Sequence, residues 1–413
     1  MEFIADFHIH SKYSRATSKD MDIVHIAEWA KLKGVTLMGT GDFTHHLWLE
    51  ELKHNLEDLG NGLFQYQDVY FILTSEISSI YSKKGKTYRI HNMVFSPSFK
   101  TTDKINETLS RYGNLASDGR PILGMDARDL AHIIFDIDEN CMIVPGHIWT
   151  PWFSLFGSMS GFDKIEDCFE DQTPRIFALE TGLSSDPGMN WRLSCLDRFS
   201  LISNSDSHSP AKIGREANVF ECELNYKTIR EALKTKDKKR FLSTIEFFPE
   251  EGKYHFDGHR LCSVRLAPKE TKQNNGKCPK CGRPVTVGVM NRVEQLADRP
   301  EGYAPSNAIP YKNLIPLDEI IAETKGVAKG SVAVSRDYRS FVAKLGTEFE
   351  ILLKLSKEDL LKNLPSRLAE GILRVRQGKV NIKAGFDGEY GIISIFDEED
   401  NKEEKNEQQL SLF

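Results

Sequence analysis

Seven short apolar segments in the first half of this chain each end in a side chain that can bind a metal ion. A single histidine or carboxylate at a strand end is usually a satisfied polar residue, but seven in series are hard to obtain by chance. If the segments are neighbouring parallel strands, their carboxyl ends meet on one face, so the pattern predicts a multinuclear metal site there. The segments are residues 3–10, 35–42, 69–76, 88–91, 141–147, 176–180 and 199–208. The side chains that would converge are His8, His10, Asp42, Glu76, His91, His147, Glu180, Asp206 and His208.

Helical patterns alternate with these segments between residues 1 and 225. Apolar residues recur at helical spacing in residues 21–34, 47–59 and 128–139, and Gly34 is a stop signal for the first of these helices. Alternation of strands and helices is typical of a parallel sheet. Because a polar group follows every strand, a closed or nearly closed barrel is favoured over an open sheet, in which ligands gather at one switch point.

The rest of the chain divides into three further parts. Residues 226–310 contain a basic stretch and a segment with clustered cysteines, and residues 311–396 are mainly helical. Residues 397–413 form an acidic tail that we expect to be disordered. An additional strand is predicted at residues 217–224, at the end of the first part.

The composition excludes several classes of protein. A chain of 413 residues is too long for one ordinary core, so two or three domains are expected. No stretch approaches the roughly 20 apolar residues of a membrane helix, and the chain begins with a strand rather than a basic and apolar leader. The seven cysteines, four scattered and three clustered, are typical of a reducing compartment with one metal site. We therefore expect a cytoplasmic protein without a membrane partner.

The net charge of −6 is unevenly distributed. Residues 397–407 carry seven acidic side chains and two lysines, so the remaining body is close to neutral. Residues 227–240 have seven basic and two acidic side chains, and residues 252–283 have eight basic and two acidic ones. These basic regions could follow a phosphate backbone; the alternative is a solvated helix face and a charged loop.

The predicted metal site suits the hydrolysis of phosphate esters. His8 and His10 lie two residues apart, as do Asp206 and His208, so each pair would project from one face of a strand. A carboxylate such as Glu76 can bridge two cations. Mixed histidine and carboxylate ligands suit zinc, manganese or iron. Such ions lower the pKa of bound water. They also hold both the attacking and the leaving oxygen during displacement at phosphorus.

The histidine pair after the first strand, the carboxylates at strand ends and the final Asp-x-His resemble the PHP domain (polymerase and histidinol phosphatase) over about residues 1–225. The resemblance implies a (β/α)7 barrel, two or three divalent metals (zinc, manganese or magnesium) and hydrolysis of phosphomonoesters or phosphodiesters. The positions that match its ligand pattern are His8, His10, Glu76, His91, His147, Asp206 and His208.

Several residues near these ligands keep alternative roles. Phe43 follows Asp42 where the family often has a histidine, so a third metal would depend on Asp42, His45 or His46. Glu180 is a candidate ligand or general base, and Asp206 is a second candidate for the catalytic carboxylate. Arg15 could stabilise a phosphate oxygen or form a structural ion pair.

A second metal site is predicted between residues 255 and 282. His259 and Cys262 form one chelating pair, and Cys278 and Cys281 form a second pair after fifteen intervening residues. This spacing is typical of a closed tetrahedral zinc site with a structural role. His255 is the alternative to His259 as the fourth ligand. The basic surroundings make this zinc module a candidate clamp on nucleic acid.

The order of the parts resembles the endonuclease Q family along nearly the whole chain. A PHP domain is followed by the zinc module, the stretch at residues 296–303 and the helix at residues 366–378. The resemblance implies a DNA repair enzyme that cleaves 5′ of deaminated bases (uracil, hypoxanthine, xanthine) and of abasic sites. A phosphomonoesterase or nucleotide exonuclease of the PHP type is the alternative enzyme, and a docking module without active metals is the non-enzymatic one.

An aromatic loop and the chain end offer two further binding candidates. Residues 148–162 include Trp149, Trp152 and Phe153, which could stack on an extruded base; the alternative is the apolar face of a helix capping the barrel. At the chain end, Gln409, Leu412 and Phe413 resemble a truncated sliding-clamp binding motif. The alternative there is an apolar tail without a partner.

Overall fold

The first half of the chain forms a curved sheet surrounded by helices. The structure is a computed structural model that describes residues 1–397 and 400; the predicted clamp-binding residues Gln409, Leu412 and Phe413 lie outside the described residues. The strands of this half are β1 (Glu2–Asp6), β2 (Leu37–Gly39), β3 (Glu57–Asp58), β4 (Phe64–Tyr66), β5 (Val69–Lys83), β6 (Lys86–Ser96), β7 (Ile122–Leu123), β8 (Met142–Pro145), β9 (Ala178–Glu180), β10 (Ser200–Ile202) and β11 (Ala217–Glu221). The helices are α1 (Ile23–Lys33), α2 (His46–Asn55), α3 (Phe99–Leu109), α4 (Ala127–Ile137), α5 (Ile165–Phe169) and α6 (Pro187–Asn190).

The second half adds a few short strands and most of the remaining helices. Its strands are β12 (Phe241–Glu246), β13 (Asp257–His259), β14 (Val264–Leu266), β15 (Tyr311–Asn313), β16 (Asn381–Lys383) and β17 (Ile392–Ser394). Its helices are α7 (Tyr226–Thr235), α8 (Pro268–Gln273), α9 (Val289–Leu296), α10 (Leu317–Lys325), α11 (Val332–Leu345), α12 (Lys357–Asn363) and α13 (Ser366–Arg376). In the described part of the chain, no helix is long and apolar enough to cross a lipid bilayer.

The barrel strands form a ring that brings their ends to one face. β1 pairs in parallel with β2, β2 with β5, and β9 with β10. The ring closes where Ile9, just beyond β1, forms a parallel bridge with Ser207, just beyond β10, and where β8 contacts β9. The barrel, the cysteine and histidine cluster and the helical C-terminal region together confirm the predicted fold class.

One strand of the barrel runs against the predicted direction. β6 is antiparallel to both β5 and β8, so His91 does not lie at the carboxyl end of a parallel strand. Only Lys84 and Gly85 separate β5 from β6, and a two-residue connection can join only antiparallel strands. Both residues have positive φ (51° and 79°), as a tight hairpin turn requires. The hairpin places His91 opposite Ser78 and hence diagonally beside Glu76.

The sheet continues past residue 225, where the sequence predicted the end of the barrel part. β11, the additional strand expected at residues 217–224, is antiparallel to β1, and β12 is antiparallel to β11. β15 then pairs in parallel with β12. The sheet therefore includes strands from the part of the chain that follows the predicted boundary.

Gly34 ends the first helix and also allows the C-terminal region to approach the barrel. Its backbone is left-handed (φ 87°), and its N–H is bonded to the carbonyl of Ala30 at 2.8 Å. A Cβ at this position would lie 2.5 Å from Oγ1 of Thr347. Glycine is needed here for the turn of the backbone and for the close contact.

A buried ion pair fixes the C-terminal helices to the barrel. Nζ of Lys33, in α1, lies 2.6 Å from Oε2 of Glu348, and 2% and 4% of these side chains are exposed. The hydroxyl of Tyr338 donates to the same oxygen at 2.7 Å, and the N–H of Leu317 donates to Oε1 at 3.0 Å. The Glu348 carboxylate therefore joins α1 to the start of α10 and to α11.

Loss of this carboxylate should loosen the C-terminal region. In Glu348→Ala, the buried Lys33 ammonium has no partner, so we expect the free energy of unfolding to fall by about 3–5 kcal/mol in urea denaturation. The exposed pair of Lys354 with Glu2 provides the control, because Lys354→Ala should cost less than about 1 kcal/mol. A fall below 1 kcal/mol in Glu348→Ala would show that this pair does not hold the C-terminal region.

Candidate functional site

Three overlapping groups of potential metal ligands lie at one end of the barrel. Within each group, the ligand atoms lie within 4.8 Å of one another. The groups share His10 and Glu76, so they form one continuous cluster of seven side chains. The groups are His8, His10 and Glu76; His10, Asp206 and His208; and Glu76, His91 and His147.

The cluster is built mainly from residues just beyond barrel strands. His8 and His10 follow β1, His147 follows β8, and Asp206 follows β10. Two of these residues have left-handed backbone, with φ of 29° at His147 and 46° at Asp206. Such backbone costs about 1–3 kcal/mol outside glycine and is often found at functional sites, where it directs a side chain.

Atoms at the centre of the cluster have the environment of metal ligands. Nε2 of His8, Nε2 of His10 and Oδ1 of Asp206 are buried and have no hydrogen-bond partner. Nε2 of His10 nevertheless lies 3.1 Å from Oδ1 of Asp206 and 3.3 Å from Oε2 of Glu76. Atoms bound to one ion at about 2.0–2.2 Å are separated by about this distance. Because each unpaired buried atom costs about 1–3 kcal/mol, these residues fit divalent metal ions.

Glu76 is the centre of the cluster. Its Oε1 lies 2.7 Å from Nδ1 of His91 and 3.0 Å from Nε2 of His147. Its Oε2 faces His10, and Nη1 of Arg120 lies 3.2 Å from the same oxygen. With the two oxygens facing different histidines, the carboxylate has the arrangement expected of a bridging ligand.

The charges around the cluster keep the carboxylates ionised. Burial raises the pKa of Glu76, but the neighbouring His91, His8 and Arg120 outweigh it and hold the pKa well below its usual value. At His91, by contrast, burial outweighs the neighbouring carboxylate and lowers the pKa to about 4. An ionised carboxylate and a neutral imidazole are the forms that bind metals. At His8 and His10, burial lowers the pKa, but the neighbouring carboxylates outweigh it and hold the pKa well above its usual value, so a metal would displace protons from these two imidazoles.

Asp42 and Glu180 lie behind the histidines and outside the three ligand groups. Nδ1 of His10 lies 3.0 Å from Oδ1 of Asp42, whose Oδ2 accepts from Ser11 and Ser14. Nδ1 of His8 lies 3.0 Å from Oε1 of Glu180. In this arrangement the two carboxylates orient the imidazoles, and their oxygens are already hydrogen-bonded; their role as direct ligands stays a prediction.

Glu180 is also poorly placed for the predicted role of general base. Its Oε2 accepts from the backbone N–H of His147 at 2.8 Å, and its Oε1 accepts from the side chain of Asn204 at 2.8 Å. Both oxygens are therefore occupied and buried. His45, a possible third-metal ligand, lies outside the ligand groups of the described residues and stacks on Tyr13 with ring centroids 4.5 Å apart.

The two arginines beside the cluster differ in their distance from the ligands. The Arg15 side chain is 79% exposed, and its Nε lies 3.4 Å from Oδ2 of Asp118. Arg120 contacts Glu76 directly, and 29% of its side chain is exposed. Both line a cavity of about 470 Å³ that also contains Asp206 and His147. Arg120 is therefore the arginine closer to the metal ligands.

The loop at residues 148–162 is irregular, and its aromatic side chains divide into two sets. Trp149 is fully buried, donates from Nε1 to Asn190 at 2.8 Å and packs on Phe156. Its predicted role in stacking on a base is therefore wrong. Trp152 is 40% exposed, and Phe153 lies against the ring of His91 with centroids 4.9 Å apart.

A second cavity adjoins the one above the ligands. It measures about 410 Å³, and Trp152, Tyr254 and Tyr390 are among the side chains that line it. The rings of Trp152 and Tyr254 meet edge to face at 5.9 Å. Trp152 and Leu183 line both cavities, so an extended ligand could occupy the two together.

The predicted zinc module forms one compact group of ligands. The side chains of His259, Cys262, Cys278 and Cys281 approach within 4.8 Å of one another. Nδ1 of His259 lies 3.5 Å from Sγ of Cys281. His255, the alternative fourth ligand, is outside this group and packs beside Phe256 instead. The geometry thus favours His259.

Sequence comparison finds relatives in an archaeon and a bacterium. Residues 316–379 match the family described as the MJ0043 C-terminal domain. MJ0043 of Methanocaldococcus jannaschii is 36% identical over 269 residues, which are 62% of this chain and 33% of MJ0043. The chain thus spans about a third of the length of that relative. YqxK of Bacillus subtilis is 28% identical over 408 residues, which are 94% of this chain and 98% of YqxK.

Two solved structures match nearly the whole chain. The lesion-specific endonuclease PfuEndoQ from Pyrococcus furiosus is 33% identical, with a TM-score of 0.86 over 98% of this chain and 99% of that chain. The chain belongs to the endonuclease Q family. A structure of endonuclease Q with a 27-mer duplex that carries an abasic lesion at the active site is also 33% identical, with a TM-score of 0.84 over 96% of this chain and 98% of that one.

Three residues of this endonuclease Q site carried no signal in the sequence. Arg120 lies in a short loop before β7, and an isolated arginine in a loop is usually a surface residue. Tyr254 and Tyr390 lie far apart in the chain but line the same cavity, near the backbone bridge between Phe256 and Phe386. Only the tertiary structure brings these residues to the cavities.

Proposed function

We propose that this protein is a DNA repair endonuclease that hydrolyses the phosphodiester bond 5′ of deaminated bases and of abasic sites. The observation that carries the proposal is the cluster of metal ligands beside an open cavity, in a chain that aligns with endonuclease Q over almost its whole length. The abasic lesion in the related complex lies at the active site, which supports a damaged duplex as the substrate class.

The barrel cluster is the proposed catalytic centre. Its seven side chains would hold two or three divalent ions, with zinc, manganese or magnesium as candidates. Such ions supply a nucleophilic hydroxide at neutral pH and stabilise the charge of the phosphoryl group. Asp42 and Glu180 keep His10 and His8 in the orientation that presents Nε2 to the cluster.

Arg120 is the proposed phosphate-binding residue. Its guanidinium lines the cavity and lies next to Glu76, with Nη1 3.2 Å from Oε2 of that carboxylate. A guanidinium at this point can donate to a phosphate oxygen and stabilise charge that develops during hydrolysis. Arg15 lies further out and is suited to a neighbouring phosphate. Asp206, with its free Oδ1, is a better candidate than Glu180 for a direct role in the reaction.

The adjoining cavity is the proposed site of the extruded base. Its volume of about 410 Å³ lies within the usual range of small-molecule sites, and its walls include three aromatic side chains. Enzymes that act at a damaged nucleotide can take it out of the helix and stack the base on such rings. Trp152 thus keeps its proposed role in stacking on the base. Phe153 lines the cavity above the metal ligands and keeps a proposed role in substrate binding there, without Trp149.

The parts of the chain that follow the barrel are proposed to bind the DNA duplex. The zinc module and the helical region at residues 311–396 are the proposed DNA-binding parts, with one structural zinc in the module. The described cysteines are all unpaired, which supports a reducing, cytoplasmic location. A sliding-clamp contact through the chain end stays a prediction.

A denaturing-gel assay tests the proposed activity. With manganese, magnesium or zinc, end-labelled duplexes that carry a single uracil, hypoxanthine or abasic site should give one nick immediately 5′ of the lesion, and the undamaged duplex should give none. The nick should disappear with EDTA and fall by about 100-fold or more in His8→Ala, because the cluster loses a ligand. Digestion from a DNA end would indicate an exonuclease, and activity only on phosphomonoesters would indicate a phosphatase.

The stacking role of Trp152 has a separate test. In Trp152→Ala, we expect kcat/KM for uracil to fall by about tenfold or more, since stacking contributes about 1–3 kcal/mol per base. Nicking at an abasic site should change little, because that site has no base. Met159→Ala, an exposed change in the same loop, is the matched control. Unchanged uracil nicking, or an equal loss on both lesions, would contradict the role.

A further inference from the structure

Leu261 is a strongly exposed apolar side chain in the zinc module. It is 80% exposed, although it lies between two of the four predicted zinc ligands, His259 and Cys262. Single exposed apolar residues are common on protein surfaces, so exposure alone says little. Here, however, the side chain has a rigid support, a basic rim and a position beside the lesion cavity.

The turn that presents Leu261 is held on both sides. Residues Arg260–Cys262 form a single 3-10 turn at the tip of the β13–β14 hairpin, where His259 is paired with Val264. Nζ of Lys280 donates to the carbonyl of Cys262 at 2.9 Å. A metal bound to the flanking ligands would fix the same turn, so Leu261 projects from a short and well-anchored tip.

The tip lies next to the cavity proposed for the extruded base. The N–H of Arg260 donates to Oδ2 of Asp387 at 2.7 Å, and Tyr390, three residues further on, lines that cavity. A Cβ placed on Gly388 would lie 3.6 Å from Nη1 of Arg260 and 3.9 Å from the hydroxyl of Tyr254. The residue before Leu261 is therefore close to Tyr254, one aromatic wall of the cavity, and is bonded three residues before Tyr390, another.

The surface around the tip carries positive charge. Arg260, Lys280 and Arg283 are all exposed in the same module. Side chains of this kind bind the phosphate backbone on either side of a groove and position a protein on the duplex. An apolar tip inside such a rim suits contact with base pairs better than contact with an acidic protein, which would leave the leucine without an apolar partner.

We propose that Leu261 inserts into the base stack of duplex DNA at the gap that opens when the lesion nucleotide leaves the helix. Apolar side chains that enter a base step stabilise the unstacked and kinked duplex, at a step that costs a few kcal/mol to open. The inference rests on the proposed function and deepens it, because it assigns a residue to lesion extrusion. Its effect is confined to duplex DNA, since a single strand has no opposing stack to open.

The first test compares duplex and single-stranded substrates of the same sequence. In Leu261→Ala, kcat/KM for a uracil in a duplex should fall by about tenfold, and nicking of the same strand without its complement should change less than about twofold. Leu261→Met, which keeps an apolar tip of similar length, should restore duplex activity. Val287→Ala removes another exposed apolar residue of the segment and should have no effect. An equal loss on both substrates, or no loss on the duplex, would overturn the inference.

The second test observes the stack directly and does not depend on cleavage. The duplex carries an abasic site next to 2-aminopurine, and the protein carries His8→Ala to prevent hydrolysis. Fluorescence anisotropy shows when the duplex is saturated with protein. At saturation, 2-aminopurine emission should rise with the His8→Ala protein, which retains Leu261, and stay low with the double variant His8→Ala/Leu261→Ala. An equal rise with both proteins would overturn the inference. Absence of nicking by the wild-type protein at any lesion would instead refute the proposed function.

Discussion

The buried Glu76 carboxylate is the group on which the site depends. Its two oxygens contact His10, His91 and His147. Arg120 contacts it from the cavity side. A fully buried carboxylate without cations or donors around it would be unfavourable. Three features surround this one group with ligands. They are the β5–β6 hairpin, the strained loops beyond the strands, and the carboxylates of Asp42 and Glu180 behind the histidines. The barrel is thus organised around a charge that metal ions can balance.

Segments that are far apart in the sequence build the substrate side of the molecule. One cavity wall comes from the loop that carries Trp152, a second from Tyr254 before the zinc module, and a third from Tyr390 near the end of the described chain. These segments can meet because the sheet continues into β12 and β15 and because Glu348 fixes the C-terminal helices to α1. The zinc module then lies beside the cavity, where its basic surface can contact DNA. In the proposed function, catalysis and lesion binding therefore use different parts of one continuous structure.

The sequence predicted those features that depend on local pattern. Gly34 ends a helix as expected, and the pair at Cys278 and Cys281 comes together with a second pair as its spacing requires. The direction of β6 differs from the prediction because residues 84–85 form a two-residue hairpin turn, which the apolar pattern of the flanking segments does not reveal. The position of Asp42 behind His10 could not be predicted, since a ligand and the carboxylate that orients it have the same chemistry. Arg120 shows the same limit, because its role comes from contacts between distant segments.

Anomalous X-ray diffraction at the zinc and manganese absorption edges tests the central claim most directly. Crystals of protein purified with either metal should show at least two peaks in the barrel, within about 2.0–2.3 Å of Nε2 of His8 and of His10 and near Glu76. One further zinc peak should lie between the four ligands of the zinc module. A zinc peak in the module alone, with no metal in the barrel at either edge, would contradict the assignment of the barrel cluster as a catalytic metal centre.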